Sequence, residues 1–205
     1  MGHFYVSQTV KCADPARLAA FLADYQAFLS PERDGAVVVY ERRAELQEIE
    51  WSQSFSGALS IVAGGPVLNV LNHDDDVLYY SLHRDGSMIG EYNSTPGYFS
   101  TWGYFNASFS LSASFPSGGD AALLCSAFTS DNMTAVELIL HMQQSKYVFA
   151  VARHRDLVAA LGIPAHGVGL GWDYLSQGEC PKGLDRADLL EFKGSAAYNG
   201  FTFPH

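Results

Sequence analysis

The sequence predicts an α+β fold. An N-terminal mixed β-sheet layer, in the order β-α-β-α-β-β-β with helices on one face, is followed by a mostly helical C-terminal half. Three observations predict it. Apolar residues recur at helical spacing over 15–29 but form continuous β-prone runs at 4–10, 36–40 and 67–71. Two further runs, Val77 to Arg84 and Ser87 to Asn93, flank Asp85-Gly86, a strong hairpin signal. Beyond residue 119 the strand signals give way to helix caps and glycine stops.

Each element has its own warrant. Phe4 to Val10 is short and β-prone. Asp14-Pro15 offers an N-cap with proline in the first helical position, where its missing N–H costs nothing. Leu18, Phe21, Leu22, Tyr25, Phe28 and Leu29 then predict one helix over 15–29. Ala36 to Tyr40 is wholly apolar, the pattern of a strand covered on both faces. The spacing of Leu46, Ile49, Phe55, Leu59 and Val62 favours a helix over 44–63, ended by Gly64-Gly65-Pro66, although Ser52, Ser54 and Ser56 are poor helix formers. Val67 to Leu71 reads as a buried strand, and the hairpin follows, with Leu78, Tyr80 and Leu82 on its core face.

Ser108 to Phe115 alternates polar and apolar residues and predicts a strand at 107–115, whereas Tyr98 to Phe105 reads as an ordered aromatic loop. Pro116-Ser117-Gly118-Gly119 is the best boundary, dividing the chain into a sheet domain, 1–115, and a helical extension, 116–205, packed on it as one compact unit. Asp120 caps a helix to 128. Thr134 and Glu137 form a capping box for a helix over 135–144, and Lys146 to Leu161 forms another, stopped by Gly162. Weaker signals predict helices at 170–177 and, capped by Asp185, at 186–193.

Composition narrows the function. Twelve Lys and Arg against 22 Asp and Glu give a net charge of −10, and no basic cluster stands out beyond Arg153-His154-Arg155. A nucleic-acid binder releases counterions from phosphates through a cationic footprint, and anionic membranes repel an acidic chain, so neither partner is expected. No apolar run approaches the ~20 residues that span a bilayer. Cys12, Cys125 and Cys180 have no C-x-x-C spacing, which argues against a disulfide framework or a cysteine zinc site. With no leader pattern at the N-terminus, the expected location is cytoplasmic.

Motifs that carry chemistry are incomplete. Asn72-His73-Asp74-Asp75-Asp76 has the oxygen donors of a divalent-cation site, with His73, Asp74, Asp76 and His83 as candidate ligands and Glu91 within reach as a base. It lacks the calcium-loop glycine and glutamate, so the plainer reading is a solvated acidic turn. Glu137 and His141 share a helical face, and His154 lies on the next helix, but no H-E-x-x-H zinc motif is present. His166 to Trp172 is glycine-rich but follows a helix rather than a strand and has Trp172 where a dinucleotide loop needs its third glycine. No G-x-S-x-G elbow or phosphate-binding loop occurs. Cys125 sits in an apolar run, and Cys180 has no neighbouring cation to activate it.

One stretch departs from the rest. Residues 92–119 contain no Asp, Glu, Lys, Arg or His, but eight aromatic side chains. Tyr98, Phe99, Trp102, Tyr104 and Phe105 offer rigid amphipathic contact area at small entropic cost. The expectation is therefore a non-catalytic interaction or regulatory module, without a cofactor, that binds a protein partner or a second copy through these residues. Two alternatives remain: a metal-assisted hydrolase centred on the acidic turn 73–76, and an aromatic-lined pocket for a small uncharged ligand.

Overall fold

The structure, a computed structural model, describes residues 2–12, 14–100, 115–142 and 147–194. An eight-stranded sheet organises them, in the spatial order β7-β6-β5-β4-β1-β3-β2-β8. The strands are β1 (Tyr5–Lys11), β2 (Gln26–Leu29), β3 (Ala36–Glu41), β4 (Val67–His73), β5 (Val77–Arg84), β6 (Ser87–Asn93), β7 (Ser117–Gly118) and β8 (Leu190–Lys193). The fold is α+β as predicted, but every pairing among these strands is antiparallel rather than mixed.

Helices α1 (Pro15–Leu22) and α2 (Ile49–Ala63) cover one face. Their core joins Leu18, Leu22, Phe55 and Leu59 to Val10, Val37, Val39 and Val67 of the sheet. The opposite face carries α4 (Ala121–Phe128), α5 (Met133–His141) and α6 (Ala150–Leu161), packed on Leu68, Val70, Tyr80, Leu82 and Tyr92. Short helices α3 (Pro96–Ser100) and α7 (Trp172–Ser176) complete the set. Strand alternation explains the division: odd positions of β4 meet α2 while Leu68 and Val70 meet α6.

The largest departure lies at residues 15–29, where one predicted helix is a helix and a strand. Asp14 caps α1 through Ala16 N (3.0 Å) and Arg17 N (3.2 Å), but the helix ends at Leu22. Ala27 and Leu29 then face α2, while Phe28 packs with Leu175 on the other face. Burial on both sides removed the polar residues that would have betrayed the strand. The order thus begins β-α-β-β-α rather than β-α-β-α.

Residues 44–63 also divide. Arg43–Leu46 is a 3-10 turn, Gln47 takes a left-handed φ of 54°, and α2 follows. The serines of α2 are tolerated for different reasons: Ser54 is exposed, Ser56 Oγ donates to Ser52 O (2.7 Å), and Ser52 faces a polar strip of the sheet. Ser52 Oγ donates to Asn69 Oδ1 (2.8 Å), which also accepts from Gln8 Nε2 (3.1 Å), while Asn69 Nδ2 donates to Ser81 Oγ (3.1 Å).

The hairpin β5–β6 has the predicted bounds. The predicted strand 107–115 lies outside the described residues except for Phe115, which is exposed. Ser117–Gly118, inside the predicted boundary, pairs with Tyr92 and Asn93 as a sheet edge. The predicted Thr134 capping box is absent: α5 starts at Met133 after Asn132, whose side chain instead donates to Ala160 O (3.0 Å). Residues 186–193 form no helix; Arg186–Asp188 is a 3-10 turn closed by an Asp185–Asp188 capping box, and Leu190–Lys193 pairs with β2. A chain with an apolar run this short takes whichever ladder the neighbouring strand offers.

Candidate interaction surface

At one end of the sheet, the start of β1, the β4–β5 turn, the start of α6 and helix α3 meet. The turn is the acidic segment 73–76, and it is built rather than loose. Asp74 and Asp75 both take left-handed backbone conformations, at φ 52° and 63°, which aspartate tolerates through local hydrogen bonding. Asp75 is buried and ties three elements together. Its carboxylate accepts from His3 Nδ1 (2.7 Å), His3 N (3.0 Å), Asn72 Nδ2 (3.0 Å) and Val151 N (3.2 Å). Its carbonyl accepts from Ala150 N at 2.7 Å, so a distant turn caps α6. Burial pushes the Asp75 carboxyl up, but the bonds from His3, Asn72 and Val151 outweigh it and hold the group below its ordinary range.

Asp74 and Asp76 are exposed, and the Asp76 side chain is hydrogen-bonded with Tyr98. His73 donates from Nδ1 to Gln47 Oε1 (2.7 Å), and Phe4 and Tyr98 flank its ring, with centroids 5.1 and 5.6 Å away. Tyr98 rests on Val6, Ala44, Leu71 and Val77 and is partly exposed. Burial, then the carboxylates of Asp76 and Asp74, push its phenol up. The same end of the sheet presents large apolar side chains to water: Val148 is 76% exposed, Leu46 67% and Phe149 57%. Leu46 adjoins Gln47, which bonds His73, and Phe149 directly precedes α6.

The candidate site residues are therefore distributed as follows. Tyr98 lies at this end. Phe99 belongs to the backbone of α3, and Trp102, Tyr104 and Phe105 lie outside the described residues. His73, Asp74 and Asp76 share the turn, but His83 does not join them. It stands six residues along β5 from Val77, the partner of His73, hence ~20 Å away at ~3.3 Å per residue. His83 is buried, bonds Ser81 Oγ (3.0 Å), and burial lowers its pKa to about 4. Glu91 accepts from Tyr79 Oη at 3.2 Å on the α2 side of the sheet. Among the described residues, no three His, Cys, Asp or Glu side chains gather as a metal-binding group.

Other chemically capable side chains hold elements together. His154, also buried, is hydrogen-bonded through Nδ1 to Tyr5 Oη (2.8 Å), whereas His141 is exposed beside Glu137, so the two histidines are not brought together. Arg153 is buried and reaches Tyr92 Oη and the Leu140 and Met142 carbonyls, closing the end of α5. Glu45, which sequence spacing did not single out, accepts from Trp172 N (2.6 Å) and Val6 N (3.4 Å). A side chain on Gly171 would collide with it, so the glycine-rich segment is a site of close packing. Burial raises the Glu45 pKa to about 8. The three cysteines are free, with Cys12 and Cys125 buried.

Two open clefts lie elsewhere. One, of about 510 Å³, brings Lys11 and Arg84 to the C-terminal ends of α2 and α4. Lys11 Nζ donates to Thr129 Oγ1 (2.5 Å), and the two cations complement the partial negative charge of those helix ends. The other, of about 550 Å³, lies between α4 and α5 and is lined by Met133 and Leu138. No helix among the described residues is long and apolar enough to cross a membrane. Comparisons with protein-family models, curated proteins and solved structures return no match.

Proposed function

We propose that the protein is a non-catalytic interaction module that engages a protein partner, or a second copy of itself, through the aromatic segment that begins at Tyr98. The observation that carries this reading is the placement of Tyr98: partly exposed, edge-on to His73, at the sheet end that also exposes Leu46, Val148 and Phe149. Clustered apolar surface of this kind marks contact sites more often than isolated exposed residues do. A supporting observation is the use of Glu45, Asp75, Arg153 and His154 as internal fasteners, which leaves them bonded to the fold.

The test is the double substitution Trp102→Ala/Phe105→Ala in the full chain. Sedimentation velocity and affinity capture should show reduced self-association or reduced recovery of specific partners, at least tenfold, with an unchanged circular dichroism spectrum. Association and partner recovery equal to wild type would overturn the reading.

A further inference from the structure

We propose that the outer edge of β8 is a self-association surface, where two copies of the chain pair β8 to β8 about a two-fold axis and join their sheets. The inference uses a different surface from the aromatic segment and stands without it. The two edges of the sheet are finished differently. β7 is two residues long and turns out of the ladder at Gly118 and Gly119, with φ 69° and 85°, which blunts it against further pairing. β8 has no bulge, no proline and no left-handed residue over Leu190–Lys193. Arg42 N donates to Gln26 O and Ser30 N to Val38 O, so Gln26, Phe28 and Ser30 turn their backbone to β3. Ala27 and Leu29 therefore bond Phe192 and Leu190 in the β2–β8 ladder, which leaves the N–H and C=O of Glu191 and Lys193 pointing outward. Among the described residues, no strand lies beyond them.

Such an edge takes up another strand through its backbone, and the side chains decide which strand. In an antiparallel pair, outward-pointing residues lie opposite one another, which limits self-pairing to a few registers. An axis through Glu191 sets two carboxylates together, and one through Lys193 sets two ammonium groups together. An axis through Leu190 carries Lys193 past the second strand, against the 3-10 turn Arg186–Asp188. The axis through Phe192 alone keeps the strands aligned and places Glu191 of each copy opposite Lys193 of the other, the favourable cross-strand arrangement. Both groups suit it. Gln26, beside Lys193, accepts from Arg42, and Lys193 has no carboxylate partner among the described residues. Glu191 Oε2 accepts from Arg186 (2.9 Å), which leaves Oε1 for the second copy. The two Phe192 rings meet at the axis, on the face where Phe192 already packs, half-buried, against the α1–α2 core, and Leu190, 55% exposed, lies beside it. Repulsion between two chains of net charge −10 is screened beyond about 8 Å at physiological salt, whereas the paired charges are in contact.

The experiment is sedimentation velocity and native mass spectrometry of the full chain at ~0.15 M salt. Wild type should form a concentration-dependent dimer. Lys193→Glu sets carboxylate against carboxylate, and Glu191→Lys sets ammonium against ammonium. Each alone should associate at least tenfold more weakly, with thermal unfolding close to that of wild type. Mixed in equal amounts, the two variants restore opposite charges at both pairs and should form a heterodimer within about threefold of the wild-type affinity. Trp102→Ala/Phe105→Ala should leave this dimer intact. A monomeric wild type, a dimer indifferent to both charge variants, or a mixture that fails to associate would each overturn the proposal. A dimer abolished by Trp102→Ala/Phe105→Ala but kept by both charge variants would overturn it while supporting the aromatic segment as the contact.

Discussion

Glu45 shows how a single residue can record the fold's tertiary economy. Its carboxyl lies in a buried junction between β1, the 3-10 turn and α7, and one oxygen, Oε2, has no hydrogen-bond partner among the described residues. Burial raises its pKa to about 8, from an ordinary value of 4.5, with Asp173 and Glu41 adding to the rise. In the folded chain the group therefore keeps its proton across a range where the unfolded chain has lost it. Its contribution to stability is full below its ordinary pKa and is lost as pH rises through about 8. Glu45→Gln should flatten this part of the pH–stability curve: urea melts between pH 5 and 8.5 should show a smaller decline than wild type, and an identical decline would contradict the assignment. His83 acts in the opposite sense, since burial lowers its pKa to about 4 and its contribution is lost as pH falls. Spacing could not reveal Glu45, because its partners, Val6 and Trp172, come from both ends of the chain. By contrast, the Asp14 and Asp120 caps were legible, because a cap is made with backbone two or three residues away.

At the level of elements, what could be read depended on whether an element draws its stability locally. The β5–β6 hairpin carries its own turn and alternation, so its bounds could be read directly. Strands β2 and β8 pair with each other, and their short sequences, Gln26–Leu29 and Leu190–Lys193, read equally well as the ends of helices. Helix α6 is similar at its start. Its first N–H groups are satisfied by Asp75, so no capping signal near residue 150 exists to be found. Asp75→Ala should therefore cost about 2–3 kcal/mol, chiefly the cost of leaving the buried donors of Asn72 and Val151 without an acceptor. Equilibrium unfolding in urea checks the value, and hydrogen exchange should show faster exchange localised to the first turn of α6. A loss under ~0.5 kcal/mol would mean that the turn does not hold the helix.

Across the whole molecule, sheet and helices are interleaved: the first half supplies β1 to β6, while the second supplies both edge strands and the helices that cover one face. This arrangement brings the acidic turn, Tyr98 and the head of α6 to one end, a juxtaposition that no local pattern could show. The acidic turn and the aromatic stretch were each legible in the sequence as separate features. Their adjacency was not, and neither was the exposure of Leu46, Val148 and Phe149, because helical and strand periodicity describe apolar residues without saying which of them are left uncovered. The most direct measurement of the interaction claim is site-specific photocrosslinking from a benzoylphenylalanine placed at position 102 of the full chain, compared with the same group at the exposed control position Ile61, in the cells that make the protein. The account predicts a discrete protein adduct from 102 that is missing from 61. No adduct from 102, or the same adducts from both positions, would contradict it.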